Sequence, residues 1–195
     1  MQQAEIIVVS GLPRSGTSLM MSMLGAGGVE LLTDDVRRPD VDNPRGYFEL
    51  ERVKSLARDA SWLELARGKA VKVISGLLEH LPSAHRYKIV FMQRDLDEIL
   101  ASQERMLDRR GVPRDAEDEA GLEAEFTAHL AVTERLLRAG PAFDVCYLSY
   151  GALLETPDVE IERVVSFLGR ELDRAAMRGC IDPALYRTRS GPAQR

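Results

Sequence analysis

Residues 5–18 read Glu5-Ile-Ile-Val-Val-Ser-Gly-Leu-Pro-Arg-Ser-Gly-Thr-Ser18. Ile6 to Val9 is a β-branched run closed by Ser10-Gly11, the pattern of a short strand buried on both faces. Thr17 to Leu24 reads as a helix, with Met20, Met21 and Leu24 at helical spacing. Between the two, Gly11 to Ser18 keeps the spacing G-x-x-x-x-G-x-[ST] of a phosphate-binding loop, with Thr17 where a nucleotide triphosphatase carries lysine. The glycines let the backbone curl so that its amides point at one anion, and the helix start adds partial positive charge. Arg14 puts in the loop itself a guanidinium suited to oxyanions. Strand, loop and helix in this order predict a cradle for a phosphate-bearing nucleotide.

Outward from the loop, Val71 to Ile74 reads as a second strand, Lys88 to Met92 as a third and Val145 to Leu148 as a fourth. Helices are predicted over 48–66, from an Asp95 cap to Leu107, over 119–138, from Asp158 to Gly169, and over 173–179. Residues 33–46 are polar and proline-bearing, which predicts a long loop of the kind that often carries function; 108–118 is a charged connection. Strands alternating with helices imply an α/β fold: one three-layer, P-loop-type domain over 1–195, its parallel sheet flanked by helices on both faces. In such sheets, ligands sit at the carboxyl ends of the strands.

Bulk properties narrow the partners. With 195 residues, 45% of them hydrophobic, the chain is long enough for one sizeable core. A formal net charge of −5 offers no overall footprint for nucleic acid, so any anion site must be local. Cys146 and Cys180 lack metal-ligand spacing, which suits a reduced, intracellular protein. No segment approaches the roughly 20 apolar residues of a membrane helix, and no basic leader precedes the first apolar run. The expectation is a soluble, cytoplasmic protein with no nucleic-acid or membrane partner; oligomeric state stays open.

The third strand runs into Gln93-Arg94 rather than into an aspartate able to hold magnesium. Together with the absent loop lysine, this argues against ordinary ATP or GTP hydrolysis and predicts a phosphoanhydride handled without a metal. Arg94 sits at that strand's carboxyl end, and Ser102 follows about two helical turns later.

Three ordered pieces then carry a resemblance: Pro13-Arg14-Ser15-Gly16-Thr17, Arg94 to Ser102, and Tyr147-Leu-Ser-Tyr150-Gly-Ala-Leu153 leading to Phe167-Leu168-Gly169. The set resembles the sulfotransferases that use 3'-phosphoadenosine 5'-phosphosulfate (PAPS), and Asn43 to Glu49 resembles a bacterial branch of them. The resemblance implies PAPS as sulfuryl donor, 3'-phosphoadenosine 5'-phosphate (PAP) as product, and a hydroxyl or amine of a small-molecule or carbohydrate acceptor. It places the 5'-phosphosulfate on Pro13, Arg14, Ser15, Gly16, Thr17 and Ser18, the 3'-phosphate on Arg94 and Ser102, and the adenine beside Tyr150. Lys72 matches a lysine that touches the transferred group, and Arg187 and Arg189 are further candidates for the 3'-phosphate. A sulfuryl group carries one negative charge, so Arg14, Lys72 and backbone amides suit its in-line transfer without magnesium.

The chain departs from that pattern. Ile74 stands where cytosolic members carry a histidine base, Gly151 replaces the acidic residue after the tyrosine, and the chain is shorter than they are. An acceptor still needs a group to take its proton. Glu49 is the best match, expected to follow a turn and start a helix, with Asp42 and His80 as alternatives. Each residue also has a plainer reading: Arg94 pairing with Asp97 or Glu98, Ser102 on a helix surface, Tyr150 in the core, Lys72 solvated, Glu49 complementing a helix dipole. Two other functions stay open, a nucleotide kinase or phosphotransferase on the same loop, and a non-catalytic nucleotide-binding protein.

Overall fold

The computed structural model describes residues 4–34, 36–37, 40, 46–109, 111 and 116–182, the side chains of 116–120 excepted. Its centre is β1, Ile6–Gly11, in which every residue is buried. The strand is sandwiched because its two faces feed two cores. Ile7 and Val9 pack with Met20, Met21, Leu24 and Val164, whereas Ile6 and Val8 pack with Trp62, Leu63, Phe91 and Leu137. A run of consecutive β-branched residues, rather than an alternating one, is what two buried faces require.

Three further strands join β1: β2 (Ala70–Lys72), β3 (Tyr87–Gln93) and β4 (Phe143–Ser149), all parallel, in the order β2-β1-β3-β4. The register sets Val9 beside Lys72, Gly11 beside Met92 and Gln93 beside Ser149. From β1 the chain goes to one neighbour and then crosses to the other, so the order reverses between β1 and β3. The carboxyl ends of those two strands carry the glycine loop and Arg94, where such sheets bind ligands.

On the first core face lie α1 (Thr17–Ala26), α5 (Pro157–Leu168) and α6 (Arg174–Gly179), which contribute Met20, Ile161 and Met177. On the second lies α3 (Ala116–Ala139), through Leu137. The intervening helix α2, Leu96–Arg109, starts beyond β3, its first turn capped by the Asp95 carboxylate, which accepts from the amides of Asp97 and Glu98 at 3.0 and 3.3 Å. The parallel sheet with helices on both faces is the architecture expected from the sequence, and no described helix is long and apolar enough to cross a membrane.

Two local expectations are corrected. Residues 48–66 form two short 3-10 helices, Glu51–Ser55 and Ser61–Ala66, not one helix. Asp59 takes both the amide and the hydroxyl of Ser61, at 2.9 and 2.6 Å, and this local turn competes with helical hydrogen bonding. The second strand ends at Lys72, and Ile74, at 48% exposure, leads into a 3-10 helix over Ser75–His80. Tyr150 follows the end of β4 directly and begins a short helix, α4 (Tyr150–Glu155), whose cap is Ser149. On the outer edge of β2, Ala70 donates its amide to Glu30 and accepts from Leu32, so the segment after α1 is fastened beside the strand that carries Lys72.

Candidate active site

The glycine loop has the backbone its sequence demands. Gly11 has φ +148°, and a Cβ there would stand 2.5 Å from Ser15 Oγ and 2.6 Å from the Met92 carbonyl oxygen. Buried Ser15 closes the turn, its hydroxyl donating to the Leu12 carbonyl at 2.7 Å. Arg14 has φ +68°, a conformation that costs a residue with a side chain about 1–2 kcal/mol. An offsetting contact is present: the Arg94 guanidinium donates from Nη1 to the Arg14 carbonyl at 3.0 Å.

Arg94 ties one side of the site together. Besides that bond, its Nε donates to Glu98 Oε2 at 2.9 Å, and its guanidinium carbon lies 4.5 Å from the centroid of the Tyr150 ring. Arg14 Nε in turn donates to Ser102 Oγ at 3.1 Å. Arg14 from the loop, Arg94 from the link between β3 and α2, Ser102 from α2 and Tyr150 from α4 therefore meet at the carboxyl ends of β1 and β3. The expected pairing of Arg94 with Glu98 exists, although Arg94 lies two residues ahead of α2, and it coexists with the contact to the loop. Tyr150 is 8% exposed, and burial pushes its phenol pKa up, with Arg94 opposing.

Gly16, with φ +100°, packs against that tyrosine; a Cβ added there would lie 2.5 Å from Tyr150 Cδ2. Gly16→Ala thus combines left-handed backbone strain with a clash against a buried ring. We expect a loss of about 2 kcal/mol, read as a melting point lower by about 4–8 °C in a calorimetric scan.

Lys72 organises the other side. Its side chain is 7% exposed, and Nζ donates to the Tyr47 carbonyl, to Ser18 Oγ at 3.4 Å and to Glu49 Oε1 at 3.4 Å. Burial lowers the Lys72 pKa, while Glu49 acts to raise it. The solvated-lysine reading does not hold. Glu49 lies two residues before the Glu51–Ser55 turn, its carbonyl accepting from the Asp34 amide at 3.2 Å, so it does not start a helix. Its Oε1 also accepts from Arg37 Nη1 at 3.1 Å, and the Arg37 guanidinium stacks on Tyr47 at 3.3 Å from the ring centroid.

Other expected residues fall elsewhere. His80 is exposed, with Nε2 3.9 Å from Glu79. Asp42, Arg187 and Arg189 lie outside the described residues. Two partners were missed by sequence reasoning. Arg37 sits in a polar loop with no spacing to distinguish it. His129, on α3, meets Ser75 Oγ at 2.8 Å and pins that helix to the turn after Lys72, through a contact 54 residues apart in sequence.

The family described as "Sulfotransferase domain" matches residues 4–188. Among solved structures, the sulfotransferase domain of the Synechococcus PCC 7002 olefin synthase is similar at 16% identity, over 99% of this chain and 92% of that one, with a TM-score of 0.60. Sulfotransferase STF9 from Mycobacterium avium is 15% identical over 92% of this chain and 68% of its own, with a TM-score of 0.56. The sulfotransferase domain from the curacin biosynthetic pathway gives 15%, 97%, 80% and 0.50 in the same order. At these identities the likeness establishes the fold. No curated protein matches.

Proposed function

The chain belongs to the sulfotransferase domain family, and from that premise we propose that it moves a sulfuryl group from PAPS to a hydroxyl or amine of a small-molecule or carbohydrate acceptor. The observation that carries this reading is the pairing of two charged clusters across one glycine loop. Arg94, Ser102 and Tyr150 stand on one side of it, and Lys72, Ser18 and Glu49 on the other, with Arg14 in the loop itself.

A donor with two separated anionic ends suits that division. The loop from Pro13 to Ser18 offers backbone amides and the start of α1 to the 5' end. Arg94 and Ser102 bind the 3'-phosphate, Tyr150 packs on the adenine, and Arg187 and Arg189 are assigned to the same end of the nucleotide. Arg14 and Lys72 face the bridging and sulfuryl oxygens, where fixed cations act on charge that grows during transfer. Glu49, adjacent to Lys72, receives the acceptor's proton. No metal is invoked in this scheme, and the site is placed in a cytoplasmic protein.

A thermal-shift comparison of PAP, ATP and GTP, each with and without magnesium, tests the reading. A ligand at 100 times its Kd adds about 2.7 kcal/mol to folding, or about 5–10 °C in a chain of this length. PAP should give that shift with or without magnesium, and ATP and GTP a much smaller one. A larger, magnesium-dependent shift with ATP overturns the reading in favour of a phosphotransferase.

A further inference from the structure

Arg37 takes no part in the scheme above, yet it holds the residue assigned as base. Both neighbours of Glu49 Oε1 are cations, Arg37 at 3.1 Å and Lys72 at 3.4 Å. That oxygen is the one turned toward Lys72, hence toward the transferred group, and its lone pairs are taken by the two donors. An acceptor hydroxyl reaches it only by displacing one of them.

The two cations differ in how firmly they are held. Lys72 is 7% exposed and fixed by the Tyr47 carbonyl and Ser18, so withdrawing it would strand a buried charge. Arg37 is 41% exposed, and an exposed ion pair of this kind contributes little to stability. Its resting place is also prepared. The Tyr47 ring lies under the guanidinium, and the tyrosine is itself anchored, its hydroxyl donating to Asp40 Oδ2 at 2.7 Å. Stacking uses the guanidinium face and leaves its in-plane fork of N–H donors for a carboxylate.

Resting on the proposed transfer reaction, we infer that the acceptor is a hydroxy acid, and that its carboxylate binds Arg37 and draws it off Glu49. The acceptor thereby uncovers the base that its own hydroxyl needs. The acceptor O–H proton passes to Glu49 Oε1 as the new O–S bond forms. The S–O bond to the nucleotide breaks, and its electron pair leaves with the 5'-phosphate of PAP. A neutral alcohol leaves Arg37 on Glu49 and is a poor acceptor. Arg37 is on this account a specificity residue that also positions Glu49.

The test uses the full chain saturated with PAP for binding, and with PAPS for turnover. Its probes are hydroxyalkanoates and hydroxybenzoates, each beside its methyl ester. The wild type should bind the acids about 10-fold or more tightly than the esters, as one charge-assisted bidentate contact implies, and should sulfate them preferentially. Arg37→Gln should level the two, and Arg37→Lys should restore part of the preference, which a merely structural role would not do. A wild type with no preference for the acids, binding neither included, overturns the inference. So does a preference that survives in Arg37→Gln. PAP affinity measured on the same samples separates the two levels. Failure of PAP to bind sinks the transfer reading itself, whereas PAP binding without acid preference sinks only the assignment of Arg37.

Discussion

Arg94→Ala is expected to weaken PAP by about 100-fold while weakening 5'-AMP only a few-fold, because a charge-assisted hydrogen bond to a phosphate contributes about 1.5–3 kcal/mol. The single variant is not clean, since Arg94, besides its proposed 3'-phosphate role, bonds the Arg14 carbonyl at 3.0 Å, pairs with Glu98 and lies over the Tyr150 ring. The pair is almost inaccessible, with side chains 8% and 6% exposed, so removing the arginine leaves a buried carboxylate at a cost of about 3–5 kcal/mol. The double variant Arg94→Ala/Glu98→Gln removes that liability and should recover much of the melting point without recovering PAP affinity. The 5'-AMP arm handles the loop contact. If Arg94 acts only by holding the Arg14 carbonyl, both nucleotides lose equally by calorimetry, and equal loss sinks the 3'-phosphate role.

What was legible in the sequence follows from how local each cause is. The β1–loop–α1 unit was readable because two buried faces, two glycines and a helix start are imposed by residues within one short stretch. A pairing of Arg94 with Asp97 or Glu98 was readable from their closeness at the start of a helix, and the structure selects Glu98. The break at Asp59-Ser61 was missed although it is equally local, since an Asx-type turn looks like ordinary helix-surface polarity until its hydrogen bonds are seen. Residue types at the site could be named one by one, but their grouping could not. Arg14 and Ser102 are 88 residues apart, and Lys72 and Glu49 are 23 apart. Each pair is joined by sheet register and by the fastening of the segment after α1 to β2. Arg37 had no signal at all, because a stacked arginine in a polar loop obeys no periodicity.

Glu49→Gln is expected to cut kcat by about 100- to 10,000-fold, the range of a lost general base, and to leave PAP affinity near wild type. Affinity is spared because Glu49 stands on the Lys72 side of the loop, away from Arg94 and Ser102. The substitution has a second route to inactivity that must be separated. Burial depresses the Lys72 pKa and Glu49 counteracts it, so removing the carboxylate lowers that pKa further and favours the neutral amine. A neutral Lys72 no longer offers a cation to the transferred group. The sign of the pH response distinguishes the two. Acidification restores the ammonium, so loss acting through Lys72 should be recovered as pH falls. Loss of a proton acceptor is not repaired by adding protons, and Glu49→Gln should then stay inactive across the range. Undiminished turnover in Glu49→Gln removes the base from this position and moves the assignment to Asp42 or His80, and recovery at low pH assigns Glu49 to holding Lys72 charged.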